Sequence, residues 1–219
     1  MVFDQRGSGR SKPFAETTDN TTQHLIGDME TLRRHLEIDK WLVFGGSWGS
    51  ALAIAYSEAH PERCMALVMR GIFLCRRQEI EWFLNGMGTL FPEHWRDFVS
   101  QLPEAERGDL LTNFYRVLTA PDPLIHMPSA RAWSIYEGRC ATLLPDPDVV
   151  ADFADDDKAL SLARIEAHYF INDIFLPLNA LLDNIRVLRD IPAVMVQGRY
   201  DIVCPLITAD TVAQAWPEA

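Results

Sequence analysis

Residues 41–71 read WLVFGGSWGSALAIAYSEAHPERCMALVMRG. The apolar run WLVFGG stops at a serine set among glycines, an alanine-rich stretch from Ser50 to Ala59 follows, and CMALVMRG is apolar again. Apolar runs of this length, broken by turn residues and a helical stretch, predict strand, helix, strand. Nearly continuous apolar strands predict a parallel α/β sheet covered by helices on both faces. The turn itself, Gly45-Gly46-Ser47-Trp48-Gly49, fits G-x-S-x-G, in which a sharp strand-to-helix bend lifts the serine oxygen above the carboxyl edge of the sheet. Glycines are expected there because helix and strand backbones come too close for a Cβ. Ser47 is therefore the candidate nucleophile. The backbone N–H of Trp48 can face a developing oxyanion, and the helix that follows adds its positive N-terminal end.

Working outward, Val2 and Phe3 read as the end of a strand, followed by the turn-forming DQRGSGRSKP. In TTQHLIGDMETLRRHLEI, Leu25, Ile26, Met29, Leu32 and Leu36 recur at helical spacing, with Thr21 or Thr22 as N-cap. From about Phe73 to Leu178 the pattern changes to aromatic-rich helical segments broken by prolines, an inserted helical layer. LLDNIRVLRDIP and AVMVQGRYDIVCP then restore helix and strand, and LITADTVAQAWPEA forms a last helix ending at Pro217. The expected organisation is a core in residues 1–73, a helical cap in 74–178 and a second part of the core in 179–219.

A serine nucleophile needs an acid and a base, which in this architecture follow it in the order acid, then histidine. Asp201 stands where the acid belongs, just past the strand Ala193–Gln197 in a loop opened by Gly198 and closed by Pro205. No histidine follows it. His24, His35, His60, His94, His126 and His168 all precede Asp201, and among them His168 is the least unsuitable substitute. No HExxH or Cys/His cluster points to a metal, and the GSG of residues 7–9 leads into Lys12-Pro13 instead of a helix, a poor phosphate cradle.

Bulk composition narrows the partners. Twenty basic against 31 acidic side chains give a net charge of −11, which disfavours nucleic acid and anionic membranes. Cys64, Cys75, Cys140 and Cys204 form no CxxC pair, which fits a reducing compartment. Neither a leader pattern nor an apolar run of about 18 residues is present, so a soluble, cytoplasmic protein is expected.

FDQRGSGRS, GGSWGSALAIAYSEAHPERC, LVMRGIFLCRR, EWF and GRYDIVCP, all in order, closely resemble the proline iminopeptidase (prolyl aminopeptidase) family, peptidase family S33 of the α/β-hydrolase fold. The resemblance runs from Phe3 to the last residue. It implies an α/β-hydrolase core with a helical cap, and release of N-terminal proline from peptides by serine acylation without a cofactor. It further implies that Glu137 and Glu166 hold the substrate's free amino group, and that Phe73 is a wall for the pyrrolidine ring. Solvated helix glutamates and a plain core aromatic are the alternatives for these three. Members also carry an HGGPG loop upstream of DQRG and a catalytic histidine downstream of the acid. Neither is found here, so the resemblance implies an internal piece of a longer enzyme with very low activity of its own. An esterase or amidase of the same fold and a catalytically dead binding protein remain open. Epoxide hydrolases and dehalogenases, which place aspartate at the elbow, do not fit Ser47. Oligomeric state is not encoded legibly.

Overall fold

The motif is anchored by strand β1, Trp41–Ser47, which runs directly into helix α2, Trp48–Ala59, and returns through a short 3-10 turn to β2, Cys64–Ile72. The computed structural model describes all 219 residues. It divides into two units, Thr21–Glu79 with Phe175–Ala219, and Met1–Asn20 with Ile80–Ile174.

The first of these holds the sheet. Preceding β1 is α1, Thr22–His35, capped by Thr21, whose side chain accepts from His24 N. Arg33, Arg34 and His35 in its last turn suit the negative end of the helix. Later come α9, Ala180–Asp183; β3, Ala193–Val196; and α10, Leu206–Ala215. The order is β1-β2-β3 and both pairings are parallel, with Ser47 opposite Ile72 and Arg70 opposite Val196. All three strands therefore deliver their carboxyl ends to the same edge.

One expectation needs correction. Val2 and Phe3 are not in a strand, and Val2 is 94% exposed. A two-residue extended segment forms a ladder only with a partner, and neither residue pairs with this sheet. Helix α2 packs on β1 and β2, and Val43, Leu67 and Met69 are buried, but Leu42, Phe44, Val194 and Val196, on the alternate positions, are 53–67% exposed.

A buried polar staple fixes α1 to this unit. Glu30 Oε1 and Oε2 accept from Arg33 Nε and Nη2 at 2.7 and 2.8 Å. Tyr56 Oη on α2 donates to Glu30 Oε1 at 2.8 Å, and Trp41 Nε1 on β1 donates to Tyr56 Oη at 3.0 Å. Arg33 also donates to the carbonyls of Ile38 and Asp39, closing the turn into β1.

The other unit is helical. It contains most of α3, Arg77–Leu84, then α4, Pro92–Val99; α5, Leu110–Leu118; α6, Pro123–Cys140; α7, Pro147–Phe153; and α8, Asp156–Ile171. Aspartates cap four of these helices: Asp109, Asp122, Asp146 and Asp155 accept first-turn amides. The core is aromatic, with Phe98 stacked on Phe114 at 4.4 Å and on Tyr136 at 4.8 Å, and Trp133 fully buried. Asn20 ties the first residues to α8 through Tyr169 Oη and His168 Nε2. No helix in the chain is long and apolar enough to cross a membrane.

The arginine pairing holds the Glu30 carboxyl down to about 2 from an ordinary value of 4.5. Glu30 therefore adds stability above pH 4.5 that is lost as pH falls toward 2. Glu30→Ala is expected to lower the unfolding free energy by about 3 kcal/mol at neutral pH, because it leaves Arg33 buried without its partner. In denaturant titrations the gap from wild type should narrow below pH 4.5.

Candidate active site

Ser47 is where β1 ends and α2 begins, and its backbone takes φ 53° and ψ −125°, a conformation that side-chain-bearing residues avoid. The bend is possible because a Cβ on Gly45 would run into the carbonyl of Gly49, so the strand can approach the helix only as glycine. Gly49 is different: nothing outside its own helix lies within 4 Å of a Cβ there. The expectation that each motif glycine is a steric necessity therefore holds for Gly45 and fails for Gly49.

Around the half-buried Ser47, three loops at the sheet edge are bonded together. Ser50, fully buried one turn into α2, donates to Ser47 O at 2.7 Å, and its Oγ accepts from Phe73 N at 3.0 Å. Phe73, just past β2, is itself 7% exposed. The next residues are held by buried Glu79, whose Oε2 accepts from Leu74 N and Arg76 N and whose Oε1 accepts from Thr208 Oγ1 of α10.

Asp201 faces the same point. A methyl group added at Gly71, where φ is +52°, would sit 3.4 Å from Asp201 Oδ2 and 3.9 Å from Ser47 N. Asp201 Oδ1 accepts from Cys204 N at 2.9 Å, and Oδ2 from Gln197 Nε2 at 3.2 Å. Cys204 Sγ lies 3.8 Å from Ser47 Oγ. Trp48 opens α2, so its backbone N–H belongs to the positive end of that helix.

No histidine pairs with Ser47 or Asp201. His24 and His35 are on α1, and His60 ends α2 beside Glu62. In the helical unit His94 stacks on Phe91, and His126 Nδ1 bonds Ala120 O. Both ring nitrogens of His168 are engaged, by Tyr115 Oη and Asn20 O, and burial pushes its pKa down; a substitute base is not found there.

In the helical unit, Glu137 and Trp133 lie four residues apart on one face of α6, and α8, which packs on α6, carries Glu166. Trp133 Nε1 donates to Glu166 Oε2 at 2.6 Å. Glu137 Oε2 is shut off from solvent with no hydrogen-bond partner, and the positive charge of Lys158 offsets part of the effect of burial on this carboxyl. Burial pushes both pKa values up, and the charge on Glu137 raises that of Glu166 further. Both residues are half-buried. No three His, Cys, Asp or Glu side chains converge as a metal would require.

Fold and elbow together define an α/β-hydrolase, and the family model describing the alpha/beta hydrolase fold matches residues 1–219. Solved structures agree on the fold: a hydrolase from Oleispira antarctica superposes with a TM-score of 0.62 at 18% identity, over 99% of this chain and 68% of that one. A carboxylesterase from Nitrososphaera gargenis gives 0.58 at 20% identity, over 98% and 66%. Much nearer in sequence are a "probable proline iminopeptidase" of Leptolyngbya boryana, 49% identical over 221 residues, and the proline iminopeptidase of Xanthomonas citri, 48% identical. Both alignments take in the whole of this chain, and 69% and 71% of the relatives. The chain belongs to the proline iminopeptidase family.

Two substitutions separate the roles of the motif glycines. Gly45→Ala should cost about 3 kcal/mol, because the clash is with backbone and no rotamer relieves it. Gly49→Ala should be neutral or gain up to about 1 kcal/mol through helix propensity. Thermal unfolding of the pair measures both.

Proposed function

We propose that this protein releases proline from the N-terminus of peptides through an acyl-enzyme on Ser47. The observation that carries the specificity is the pair Glu137 and Glu166. Two half-buried carboxyl groups, raised by burial and only partly offset by Lys158, are unfavourable as a charged pair in the free protein, and an ammonium group entering beside them restores the balance. The secondary ammonium of an N-terminal proline is such a group, and an internal peptide bond has none. The names of the relatives support this reading.

In the proposed reaction Ser47 Oγ bonds to the prolyl carbonyl carbon as its proton passes to a general base. The oxyanion is stabilised by the Trp48 N–H and the start of α2. The C–N bond then breaks, the base returns the proton to the leaving amine, and water hydrolyses the ester to free proline and Ser47. Asp201 orients the base. Phe73 forms a wall for the pyrrolidine ring. No step calls for a cofactor. The base implied by the family resemblance is a histidine following Asp201, and none of the six histidines of these 219 residues occupies that position. Taken alone, the 219-residue chain is expected to turn over at least about 10⁴-fold more slowly than a complete triad. A cytoplasmic setting accords with four cysteines that are all free thiols.

The test compares prolyl-4-nitroanilide with 4-nitrophenyl acetate in the full gene product. Glu137→Gln and Glu166→Gln should each raise KM for the prolyl substrate by about tenfold or more, the loss of one partly buried charge contact, and leave the ester unchanged. Equal effects on both substrates would sink the ammonium assignment. The pH dependence has a defined sign. Both carboxyls are raised, so the unliganded protein loses stability as pH climbs from 4.5 through the raised values, and prolyl affinity improves over the same interval. Glu137→Gln should flatten the stability profile.

A further inference from the structure

We propose that Gln197 is the positioning residue of the acyl-transfer site, fastening the Asp201 carboxylate to the end of β2 beside Ser47. It is the first residue after β3 and is half-buried. Its Oε1 accepts from Ile72 N at 2.7 Å. Its Nε2 donates to Asp201 Oδ2 at 3.2 Å and to Cys204 O at 2.8 Å. Ile72 is the residue opposite Ser47 in the β1–β2 register. One side-chain amide thus joins the loop after β3 to the strand end that flanks the nucleophile.

The chemistry of the amide makes the arrangement specific. Both N–H donors face oxygens and the carbonyl faces an N–H. Rotating the amide by half a turn would set oxygen against two oxygens and N–H against N–H. Glutamate could still accept from Ile72 N but would place a carboxylate against Asp201. Leucine fills similar volume and makes none of the three bonds, leaving a backbone N–H and a carbonyl without their partner. Cys204 N supplies the donor for Asp201 Oδ1, so Gln197 and Cys204 together hold one donor on each oxygen and stop the carboxylate from rotating. An orienting acid works only while its free lone pairs keep one direction. A misplacement of about 1 Å in such a group can lower turnover about a hundredfold.

The inference rests on Ser47 and Asp201 acting together, and not on the choice of proline as substrate. Gln197→Glu and Gln197→Leu, made in the full gene product, separate the two halves of the link. Amide hydrogen exchange should show Ile72 deprotected at least about tenfold in the leucine variant and protected in the glutamate variant, which keeps the acceptor. The Cys204 amide should exchange faster in both. Turnover of prolyl-4-nitroanilide and of 4-nitrophenyl acetate should fall together by about 10- to 100-fold, with KM within about twofold. If prolyl turnover is absent while the ester rate falls as stated, the proline reading fails and the Gln197 role stands. A folded Gln197→Glu protein with a protected Cys204 amide overturns the proposal, whether or not either substrate turns over. So does a loss confined to KM or to the prolyl substrate.

Discussion

The approach of Gly45 to the carbonyl of Gly49 is the contact on which the site depends. It lets β1 run into α2 with no connecting loop, and Ser47, the single residue at the join, absorbs the whole change of direction at φ 53°. A backbone held there stores free energy of order 1–3 kcal/mol, which the surrounding structure must offset. The offset is visible in the bonds about it: Ser50 reaches back to Ser47 O and sideways to Phe73, and β1 pairs with β2 along its whole length. The serine hydroxyl is thereby placed by backbone geometry and needs no side-chain packing of its own.

The helical unit solves a different problem by different means. Its core is aromatic, with Phe83, Trp133 and Phe170 in edge and tilted contacts, and Trp133 reaches from this core to Glu166. Burial there works against the carboxylates, and the single short bond from Trp133 to Glu166 compensates only in part. A protein that gained nothing from two such groups would be more stable with glutamines in their place. In the proposed reading, incompletely compensated carboxylates are what a cation-binding surface needs before its ligand arrives.

How much of this could be read from the chain followed the range of the interactions. The elbow was legible because its determinants are five consecutive residues, and α1 because Thr21 caps it and Leu25 and Met29 keep helical spacing. Asp201 could be located from a strand followed by a Gly-to-Pro loop. Ser50, Glu79 and Gln197 were not legible, since their bonds cross 23, 129 and 125 residues. An ordinary serine, glutamate or glutamine in a helix or after a strand carries no mark of such a partner. Val2 and Phe3 have strand-like chemistry, but chemistry without a neighbouring strand does not make a ladder.

In the proposed site, Gln197 gives Asp201 and Ser47 more than proximity. Asp201 sits in a loop that follows β3, a strand of four residues whose pairing with β2 stops at Arg70 opposite Val196. Beyond that pair no ladder bond restrains the loop, and its direction would be set by turn preferences alone. A side chain that accepts from Ile72 N and donates to Asp201 and Cys204 extends the sheet's hydrogen bonding by one step, past the point where the backbone ladder ends. The nucleophile inherits its position from β1 and β2, and through this amide the acid inherits its position from β2 as well. Relative placement of the two then depends on one strand instead of on two independent loops.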